Sequence, residues 1–363
     1  MKAVLLAGGF GTRLRPLSCG RPKILFPIVN KPLLQWTFER LAENNIDEAI
    51  LAVNYQTEIA IKQQRIPKCG LKVIYSRDPP RKPLGTGGAI KKTEKYIDND
   101  HLFLALNGDI FADVNYSELL EEHKKRKHAL ATIVLRRVAD PSRYGVAELT
   151  AENKIVRFIE KPPKEKAPTN LINAGVYVLS KEIFDFIPKG QKISIEYQVF
   201  PKLAKEGKLY GYIHDGLWTD IGKPEDYLEI NNILLDVLDN KQDSKKRKNV
   251  EISKPVAFDR NVSIGKNCIL GPYTVLGKNV VVGDRVHAKN TVILRGSVIS
   301  DCVCIEGAII GEGVYVGMNV KIGKNCIIGD HVKIKDNVTL AEGVSVCPAK
   351  EISESVSTSK FIA

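Results

Sequence analysis

The sequence contains no run of about 18 consecutive apolar residues, the length that a membrane-spanning helix requires. Its first nine residues hold an apolar run of only five before Gly8 and Gly9, so the long apolar stretch of a secretory signal is also missing. We therefore expect a cytoplasmic protein without a membrane partner.

Cysteine and histidine are few and show no ligand pattern. The seven cysteines are an odd number, and Cys302 and Cys304 lack the two-residue spacer and second pair of a zinc site. The six histidines show no ligand spacing either, and we assign none of them a catalytic role. These patterns exclude a disulfide framework and a zinc site, and they predict buried free thiols.

Positive charge is in excess, with a formal net charge of +12. Residues 241–250 alone carry five basic residues and one acidic residue, which is typical of a solvated linker. A second basic run, residues 123–128, follows Glu121 and Glu122 and is interpreted as the exposed end of a helix. We expect no nucleic-acid partner, because an anionic small-molecule substrate needs only a few local cations.

The first 240 of the 363 residues alternate short apolar runs with amphipathic stretches. This alternation predicts a mostly parallel sheet with helices on both faces, and ligands in such sheets bind at the carboxyl ends of the strands. The loops after Ala7, Leu106 and Leu179 are therefore candidate sites. The predicted strands are 4–7, 48–53, 72–75, 102–106, 131–138 and 175–179, and the predicted helices are 32–44, 88–96, 116–125 and 197–206.

From about residue 251 the sequence repeats with a period of six. Aliphatic residues such as Ile264, Leu270 and Leu276 are each followed by glycine, and a small or β-branched residue stands two positions earlier. A period this short is typical of a solenoid in which each unit supplies one strand and the glycine lies at a tight turn. We expect about five coils over residues 256–345, with a loop or distorted coil at 296–309, and Cys268 and Cys326 inside.

A glycine-rich turn follows the first strand: Gly8, Gly9 and Gly11, then Thr12 and Arg13. Glycines let the backbone approach a phosphate and point its N–H groups at it. The spacing matches neither the dinucleotide fingerprint nor the P-loop, so a plain tight turn remains an alternative for this segment by itself.

The segment is followed by further motifs that together resemble the sugar-1-phosphate nucleotidyltransferase family over almost the whole chain. The segments at 173–175, 216–224 and 349–356 are most similar to members that convert GTP and mannose-1-phosphate to GDP-mannose. The motifs lie at 6–17, 21–23, 30–33, 83–87, 107–109, 144–146, 158–162, 173–175 and 218–222.

The resemblance implies a Rossmann-like catalytic domain at 1–240, a basic linker at 241–250 and a left-handed parallel β-helix of hexapeptide repeats at 251–363. It implies Arg13, Lys23 and Asp109 as catalytic residues, and Mg²⁺ bound by Asp109 and Asp220. Arg13 would clamp the β- and γ-phosphates and Lys23 the α-phosphate, with Arg15 as a further cation. The implied nucleotide-binding residues are Leu6, Ala7, Gly8, Gly9, Gly11, Thr12, Arg13, Lys23, Pro83, Gly85, Thr86, Asn107 and Gly108, and the implied sugar-phosphate-binding residues are Gly145, Glu160, Lys161 and Asn173.

Several alternatives remain open at this point. Asp109 and Asp220 are also compatible with turn residues, Glu160 and Lys161 with a surface pair, and Trp218 with a core residue. Related chains use glucose-1-phosphate with dTTP or UTP, act as non-catalytic subunits that sense nucleotide-sugar, or carry an acyltransferase in the repeat domain. We also expect a homo-oligomer formed through the β-helix, because the end and flat faces of a solenoid need covering.

Overall fold

The computed structural model describes residues 1–9, 11, 14–80, 82–97, 100–239 and 249–363. Within these residues no helix has the length and apolarity to cross a membrane. The chain forms two compact units. The first contains Met1–Gly9, Lys23–Leu25 and Leu33–Asp220, and the described residues of the second are 11, 14–22, 26–32, 221–239 and 249–363.

The helices and strands of the first 239 residues begin and end as follows. The helices are α1 Leu33–Glu43, α2 Tyr55–Gln64, α3 Gly85–Lys92, α4 Tyr116–Lys124, α5 Phe200–Lys205 and α6 Pro224–Asp239. The strands are β1 Lys2–Leu6, β2 Pro27–Ile28, β3 Lys31–Pro32, β4 Glu48–Val53, β5 Lys72–Arg77, β6 Leu102–Asn107, β7 Ile110–Ala112, β8 Ala131–Arg137, β9 Gly145–Leu149, β10 Ile155–Glu160, β11 Leu171–Ser180, β12 Leu209–Ile213 and β13 Trp218–Asp220.

The main sheet of the first unit has the order β10-β9-β11-β6-β1-β4-β5, and β8 and β12 extend it beside β11. Strands β6, β1, β4 and β5 are parallel, whereas β11 runs antiparallel to β6, β8 and β9, so the sheet is mixed. Alternate residues of β1 contribute to two apolar clusters, Val4 to one and Ala3 and Leu5 to the other. Both faces of the sheet are therefore buried, as in a Rossmann-like fold.

Most predicted elements of this half are present, with shifted ends. The strand predicted at 175–179 extends over Leu171–Ser180, and the helix predicted at 197–206 is a π turn, Ile195–Val199, continued by α5. Helices α2 and α6 and strands β9, β10 and β12 were not predicted. Strands β7 and β13 were missed as well, because each has three residues, too few for an apolar period.

The second unit contains a parallel β-helix of three sheets with six, seven and six strands. Successive strands of one sheet lie 17 or 18 residues apart along the chain, which is the length of one coil. Each coil contributes one strand to each of the three sheets, so it contains three short units. The strands are β14 Val250–Ile252, β15 Val256–Phe258, β16 Ser263–Ile264, β17 Cys268–Leu270, β18 Thr274–Leu276, β19 Val281–Val282, β20 His287–Lys289, β21 Thr291–Ile293, β22 Val298–Ile299, β23 Cys304–Glu306, β24 Ile309–Ile310, β25 Tyr315–Val316, β26 Lys321–Ile322, β27 Ile327–Ile328, β28 Lys333–Ile334, β29 Thr339–Leu340, β30 Ser345–Val346, β31 Glu351–Ile352 and β32 Phe361–Ile362.

The expected Rossmann-like half and parallel β-helix are confirmed, but the loop or distorted coil expected at 296–309 is wrong. Strands β22 and β23 pair regularly there. The repeat loses one residue twice instead, because the inward positions step from Ala288 to Ile293 and from Ile305 to Ile310. These two five-residue units shift the pattern without adding a loop.

The glycines of the repeat have a different cause from the expected one. Gly277 lacks a positive φ, and a Cβ there would lie 2.6 Å from the backbone nitrogen of Arg295 in the next coil. Asparagines such as Asn279 and Asn319 hold many of the left-handed turn positions, and among the glycines that follow an inward aliphatic residue Gly271, with a φ of 92°, is the exception. Glycine is thus required for close stacking of coils, and asparagine supplies many of the turns.

Other predictions for this half have separate outcomes. The expectation of buried free thiols is right for Cys268 and Cys326, which lie inside the β-helix, and burial raises the pKa of both thiols. It is wrong for Cys19, Cys69 and Cys304, which are exposed. Residues 241–248 of the predicted linker lie outside the described residues, and Val250 already belongs to β14. The boundaries at 240 and 251 stay predictions.

Candidate functional site

The loops after β1 and β6 meet at the carboxyl edge of the main sheet. The Gly108 N–H donates to the carbonyl of Leu6 at 2.9 Å, and the Ala7 N–H donates to the carbonyl of Ala52 at 2.9 Å. A Cβ at Gly108 would lie 2.8 Å from the Leu6 carbonyl oxygen, so a side chain does not fit there. The two loops therefore present backbone and small residues at the edge where ligands of such sheets bind.

Lys23 and Asp109 form an ion pair beside these loops. Lys23 begins a 3₁₀ turn, and its Nζ donates to Asp109 Oδ2 at 3.1 Å. The Lys23 side chain is 10% exposed and the Asp109 side chain 35%. The ammonium is thus held in place largely away from bulk water, which strengthens its attraction for an anion at the edge.

Strand β13 pairs antiparallel with β7, which brings the backbone of Asp220 close to the end of the loop that carries Asp109. Asp220 is opposite Ile110, the residue that follows Asp109, and Arg143 Nη2 is 4.0 Å from Asp220 Oδ2. The described residues contain no group of three or more His, Cys, Asp or Glu side chains arranged for a metal ion. Asp109 and Asp220 are of the ligand type that Mg²⁺ takes, since this ion binds one or two protein carboxylates together with water and substrate phosphates.

The segment at the start of α3 is fixed against residues 193–196. Gly85 has a φ of 70°, and its Cβ would lie 2.5 Å from the carbonyl oxygen of Ile193. The Thr86 hydroxyl donates to Glu196 Oε2 at 2.6 Å and accepts from the Ile195 N–H at 3.0 Å. Glu196 is a buried residue that the sequence analysis missed, because no motif relates two residues 110 positions apart.

Asp78 is a second residue that the sequence analysis missed. It follows β5, and its Oδ2 accepts from the Leu84 N–H at 3.3 Å and lies 3.8 Å from a Cβ built on Gly8. Burial raises the pKa of this carboxyl. Its position just after a strand at the carboxyl edge of the sheet was the available signal. The carboxylate lies between the predicted nucleotide-binding segments at Gly8 and Gly85.

Glu160 and Gly145 are directly opposite each other on β10 and β9. A Cβ at Gly145 would lie 2.5 Å from Glu160 Oε2, a buried atom that has no hydrogen-bond partner among the described residues. Burial and the negative charge of Glu196 raise the pKa of Glu160 to about 7. Lys161, whose side chain is 53% exposed, places Nζ 3.7 Å from Glu160 Oε1. An unpartnered buried oxygen is suited to accept a ligand hydroxyl.

Asn173 is buried and engaged in a local hydrogen-bond network. Its Oδ1 accepts from the Gly175 N–H at 2.8 Å, and its Nδ2 donates to the Tyr177 hydroxyl at 3.0 Å. The pairing of β11 with β8 is irregular between Asn173 and Tyr177, and Gly175 has a φ of 71°. Asn107 Oδ1 is buried without a hydrogen-bond partner in the described part of the chain. Asn173 therefore shapes this irregular stretch of strand.

Trp218 and the remaining predicted residues have these positions. The Trp218 Nε1 donates to the Ala174 carbonyl at 2.9 Å, and its ring packs edge-on against Tyr144. Pro83 precedes the N-cap residue of α3, and Gly9 belongs to the first unit. Gly11 belongs to the second unit, and Arg15 is exposed. Thr12 and Arg13 lie outside the described residues.

Comparison with known proteins agrees with this arrangement. Residues 2–237 match the family model described as "Nucleotidyl transferase", and residues 252–362 match the one described as "GMPPB C-terminal domain".

Among curated relatives, the chain is 38% identical over 250 residues to "Mannose-1-phosphate guanyltransferase 2" of Candida glabrata, covering 68% of each chain. It is 36% identical over 263 residues to "Mannose-1-phosphate guanylyltransferase catalytic subunit beta" of Dictyostelium discoideum, covering 71% of each. Among solved structures, HddC from Yersinia pseudotuberculosis, also solved in complex with GMP-PN, matches at 31% identity with a TM-score of 0.55. That match covers 64% of this chain and 99% of HddC.

Proposed function

Because the chain belongs to the nucleotidyl transferase family, we propose that it makes GDP-mannose from GTP and mannose-1-phosphate, releasing pyrophosphate. The curated relatives, which the chain covers over about two thirds of their length, carry that activity in their names. The observation that carries the proposal is the Lys23–Asp109 pair at the carboxyl edge of the main sheet, beside the Gly108 loop.

The reaction requires two anions to approach each other. An oxygen of the sugar phosphate forms a bond to the α-phosphorus of the triphosphate, and the bond from that phosphorus to the β-bridging oxygen breaks, so pyrophosphate leaves with the electron pair. Lys23 would lower the repulsion between the α-phosphate and the incoming phosphate, since a positioned cation stabilises charge that develops in the transition state. Arg13 would hold the β- and γ-phosphates with its planar guanidinium, with Arg15 as a further cation nearby in the sequence.

Asp109 and Asp220 would hold Mg²⁺ together with phosphate oxygens of the substrates. Bound there, the ion would supply charge neutralisation at the phosphates. The carboxylate of Asp109 also fixes Lys23 Nζ, 3.1 Å away, so it orients the ammonium toward the same region.

Glu160 would accept hydroxyl groups of the sugar, and Lys161 would bind its phosphate. Two features support this assignment: the unpartnered Oε2 of Glu160, and the Lys161 Nζ close to Oε1 of the same carboxyl. The Gly145 backbone would line the sugar pocket, and Asn173 would contribute through the irregular stretch of β11 that it holds.

The position of Asp78 supports guanine as the base. The Watson–Crick edge of guanine presents two adjacent donors, N1–H and N2–H, and a carboxylate is an acceptor of two hydrogen bonds. Uracil and thymine present one donor between two carbonyl oxygens, which an adjacent carboxylate repels. Oδ2 of Asp78 lies between Gly8 and the Leu84 N–H, beside the segments that would contact the base.

Self-association through the β-helix is also part of the proposal. One sheet exposes an outward row in which Val281, Val298 and Tyr315 are adjacent by strand register. Light scattering of the full chain would test it, and a mass equal to one chain at micromolar concentration would contradict it.

A substrate panel tests the function. Each of GTP, ATP, UTP and dTTP is offered with mannose-1-phosphate and with glucose-1-phosphate, and pyrophosphate release is measured. We expect the largest kcat/KM for GTP with mannose-1-phosphate. A preference for dTTP or UTP with glucose-1-phosphate would overturn the substrate assignment. Binding of GDP-mannose without any pyrophosphate release would instead favour a non-catalytic sensing subunit.

A further inference from the structure

The guanidinium of Arg21 is buried against the β-helix, and both lie within the second unit. Gly11 and residues 14–21, which precede and include Arg21 in the same unit, are called the signature segment below. The Arg21 side chain is 7% exposed, and its Nη2 donates to Glu312 Oε1 at 2.7 Å and to Asp330 Oδ2 at 3.3 Å. The guanidinium also lies 5.8 Å from the ring centroid of Phe26. Arg21 is thus enclosed by two carboxylates of the β-helix and an aromatic ring.

The two carboxylate oxygens of Asp330 make two different contacts, one with a backbone N–H of the β-helix and one with Arg21. Oδ1 accepts from the Glu312 N–H at 2.8 Å, which fixes the turn of the neighbouring coil. Asp336 makes the same turn contact with the Met318 N–H at 2.8 Å, and in the described chain it has no arginine partner. The turn contact is therefore made without an arginine elsewhere in the repeat, so the contact of Oδ2 with Arg21 is an additional one.

The signature segment is held close at this point. A Cβ at Gly20 would lie 2.8 Å from Asp330 Oδ2, so the backbone before Arg21 runs directly past that carboxylate. Earlier in the segment, the Ser18 hydroxyl and the Leu14 N–H both donate to the carbonyl of Gly11, at 2.7 and 3.0 Å. Hydrogen bonds within the segment therefore hold it near Gly11, and contacts with the β-helix hold it near Gly20 and Arg21.

A buried ion pair is weak support for stability, because desolvation offsets much of its attraction, yet its geometry fixes one arrangement over others. Arg21 is followed by Pro22, whose ring fixes its own φ, so the position of the guanidinium restricts the backbone at this end of the signature segment. Two carboxylates of the β-helix thereby act on a segment that would contact the triphosphate.

We propose that Arg21, held by Glu312 and Asp330, is a positioning residue through which the β-helix sets the conformation of the signature segment. This inference rests on the proposed function, in which that segment and Lys23 contact the triphosphate. It gives the repeat domain a role in nucleotide affinity in addition to any role in assembly.

The test compares Asp330→Asn with Asp336→Asn in the full chain. Both substitutions keep an oxygen that can accept the turn hydrogen bond, and only the first removes the charge that faces Arg21. For Asp330→Asn we expect the KM for GTP to rise about tenfold, with kcat and the KM for mannose-1-phosphate within about twofold. Asp336→Asn should match the unmodified protein in all three constants.

Arg295→Gln is a second control. Arg295 Nε is 2.9 Å from the same Glu312 Oε1, but its side chain is 62% exposed and it lies outside the signature segment. Its loss should leave the KM for GTP unchanged. Arg21→Lys keeps the charge without the planar fork, and we expect it to restore part of the affinity that Arg21→Met loses. A KM for GTP in Arg21→Lys that lies between those of the unmodified protein and Arg21→Met would show that the charge of residue 21 matters, and not only its packing.

The outcomes separate the inference from the proposed function. An unmodified protein that makes GDP-mannose, together with an unchanged KM for GTP in Asp330→Asn, would overturn the positioning role alone. Equal losses in Asp330→Asn and Asp336→Asn would overturn it too, since turn stability would then explain both. No transfer from any triphosphate by the unmodified protein would overturn the proposed function instead. If Asp330→Asn does not fold, Glu312→Gln replaces it with the same expectations.

Discussion

The two units position polar side chains in different ways. In the first unit, the contacts of the candidate site join residues that are far apart in sequence, such as Lys23 with Asp109 and Thr86 with Glu196. In the β-helix, the same kind of contact recurs coil after coil, as in the turn carboxylates of Asp330 and Asp336. A repeated contact can be detected from spacing, whereas a unique contact exists only in the folded chain.

Glycine shows the same difference. Gly85 needs its φ of 70° and close contact with Ile193 to shape one loop. Gly277 instead has no positive φ and allows neighbouring coils to stack, as Gly283 and Gly317 do in their own coils. Substitutions at unique contacts, including that of Asp330 with Arg21, should therefore change activity, and substitutions at contacts that only repeat should change stability.

The largest expected effect is on turnover, from Lys23→Ala. Loss of a cation positioned for the transferring phosphate should lower kcat by about 10²- to 10³-fold, while the melting temperature changes little. Pyrophosphate release under saturating substrates measures the first quantity, and calorimetry the second. The matched control is Lys72→Ala, which removes a 67% exposed lysine of a surface pair and should leave kcat unchanged. Wild-type kcat in Lys23→Ala would remove Lys23 from the catalytic residues.

The next effect is on the stability of the β-helix, from Ile322→Ala. Ile322 is an inward residue of the stacked core, and a truncation there costs about 2–5 kcal/mol through lost burial and a cavity. The neighbouring outward substitution, Lys321→Ala, should cost less than about 0.5 kcal/mol. Chemical denaturation of both variants measures the difference. Equal losses would contradict the assignment of inward and outward positions.

A third effect concerns the pH dependence of stability in the first unit. His123 is buried between Thr132 and Ser180, and burial followed by the charge of Arg126 lowers its pKa to about 4. The unfolded chain binds the proton first as pH falls, so this contribution is complete above pH 6.5 and lost between pH 6.5 and 4. It amounts to about 3 kcal/mol at most.

The variant His123→Gln tests this effect, because glutamine does not titrate in this range. Between pH 6.5 and pH 4 the variant should lose less unfolding free energy than the unmodified protein. Denaturant titrations across that range measure both slopes. Parallel curves for the two proteins would show that His123 does not titrate in this way.

The smallest expected effect is on the affinity for sugar phosphate, through Glu160. Because its pKa is raised to about 7, the carboxyl gains an acceptor as pH rises through 7, and the KM for mannose-1-phosphate should fall about tenfold between pH 6 and 8. In Glu160→Gln the KM should be the same at both pH values. A retained pH dependence in that variant would assign the titration to another group.

The repeat half was predicted in most respects from the sequence. The period of six located the strands, and Cys268 and Cys326 were correctly placed inside. The error at 296–309 arose because a one-residue deletion and an inserted loop both shift a period, and only the regular pairing of β22 and β23 distinguishes them.

In the first half, apolar runs located the central strands, but the antiparallel direction of β11 was not predicted. Strand direction depends on the path of the connections, which local composition does not encode. The residues of the candidate site were named through motifs, and their roles stay predictions. Asp78, Glu196 and Arg21 were missed as contact-making residues, since each acts through partners outside its own motif.

The sequence by itself determined the two-part architecture, the repeat period and the inward positions of the β-helix, because these follow from local and periodic burial of apolar residues. The tertiary structure decided which charges meet: Lys23 with Asp109, and Arg21 with Glu312 and Asp330. It also buried Oε2 of Glu160 beside Gly145 without a hydrogen-bond partner among the described residues. Electrostatic interactions depend on distance and burial in space, and neither quantity is fixed by the separation of residues along the chain.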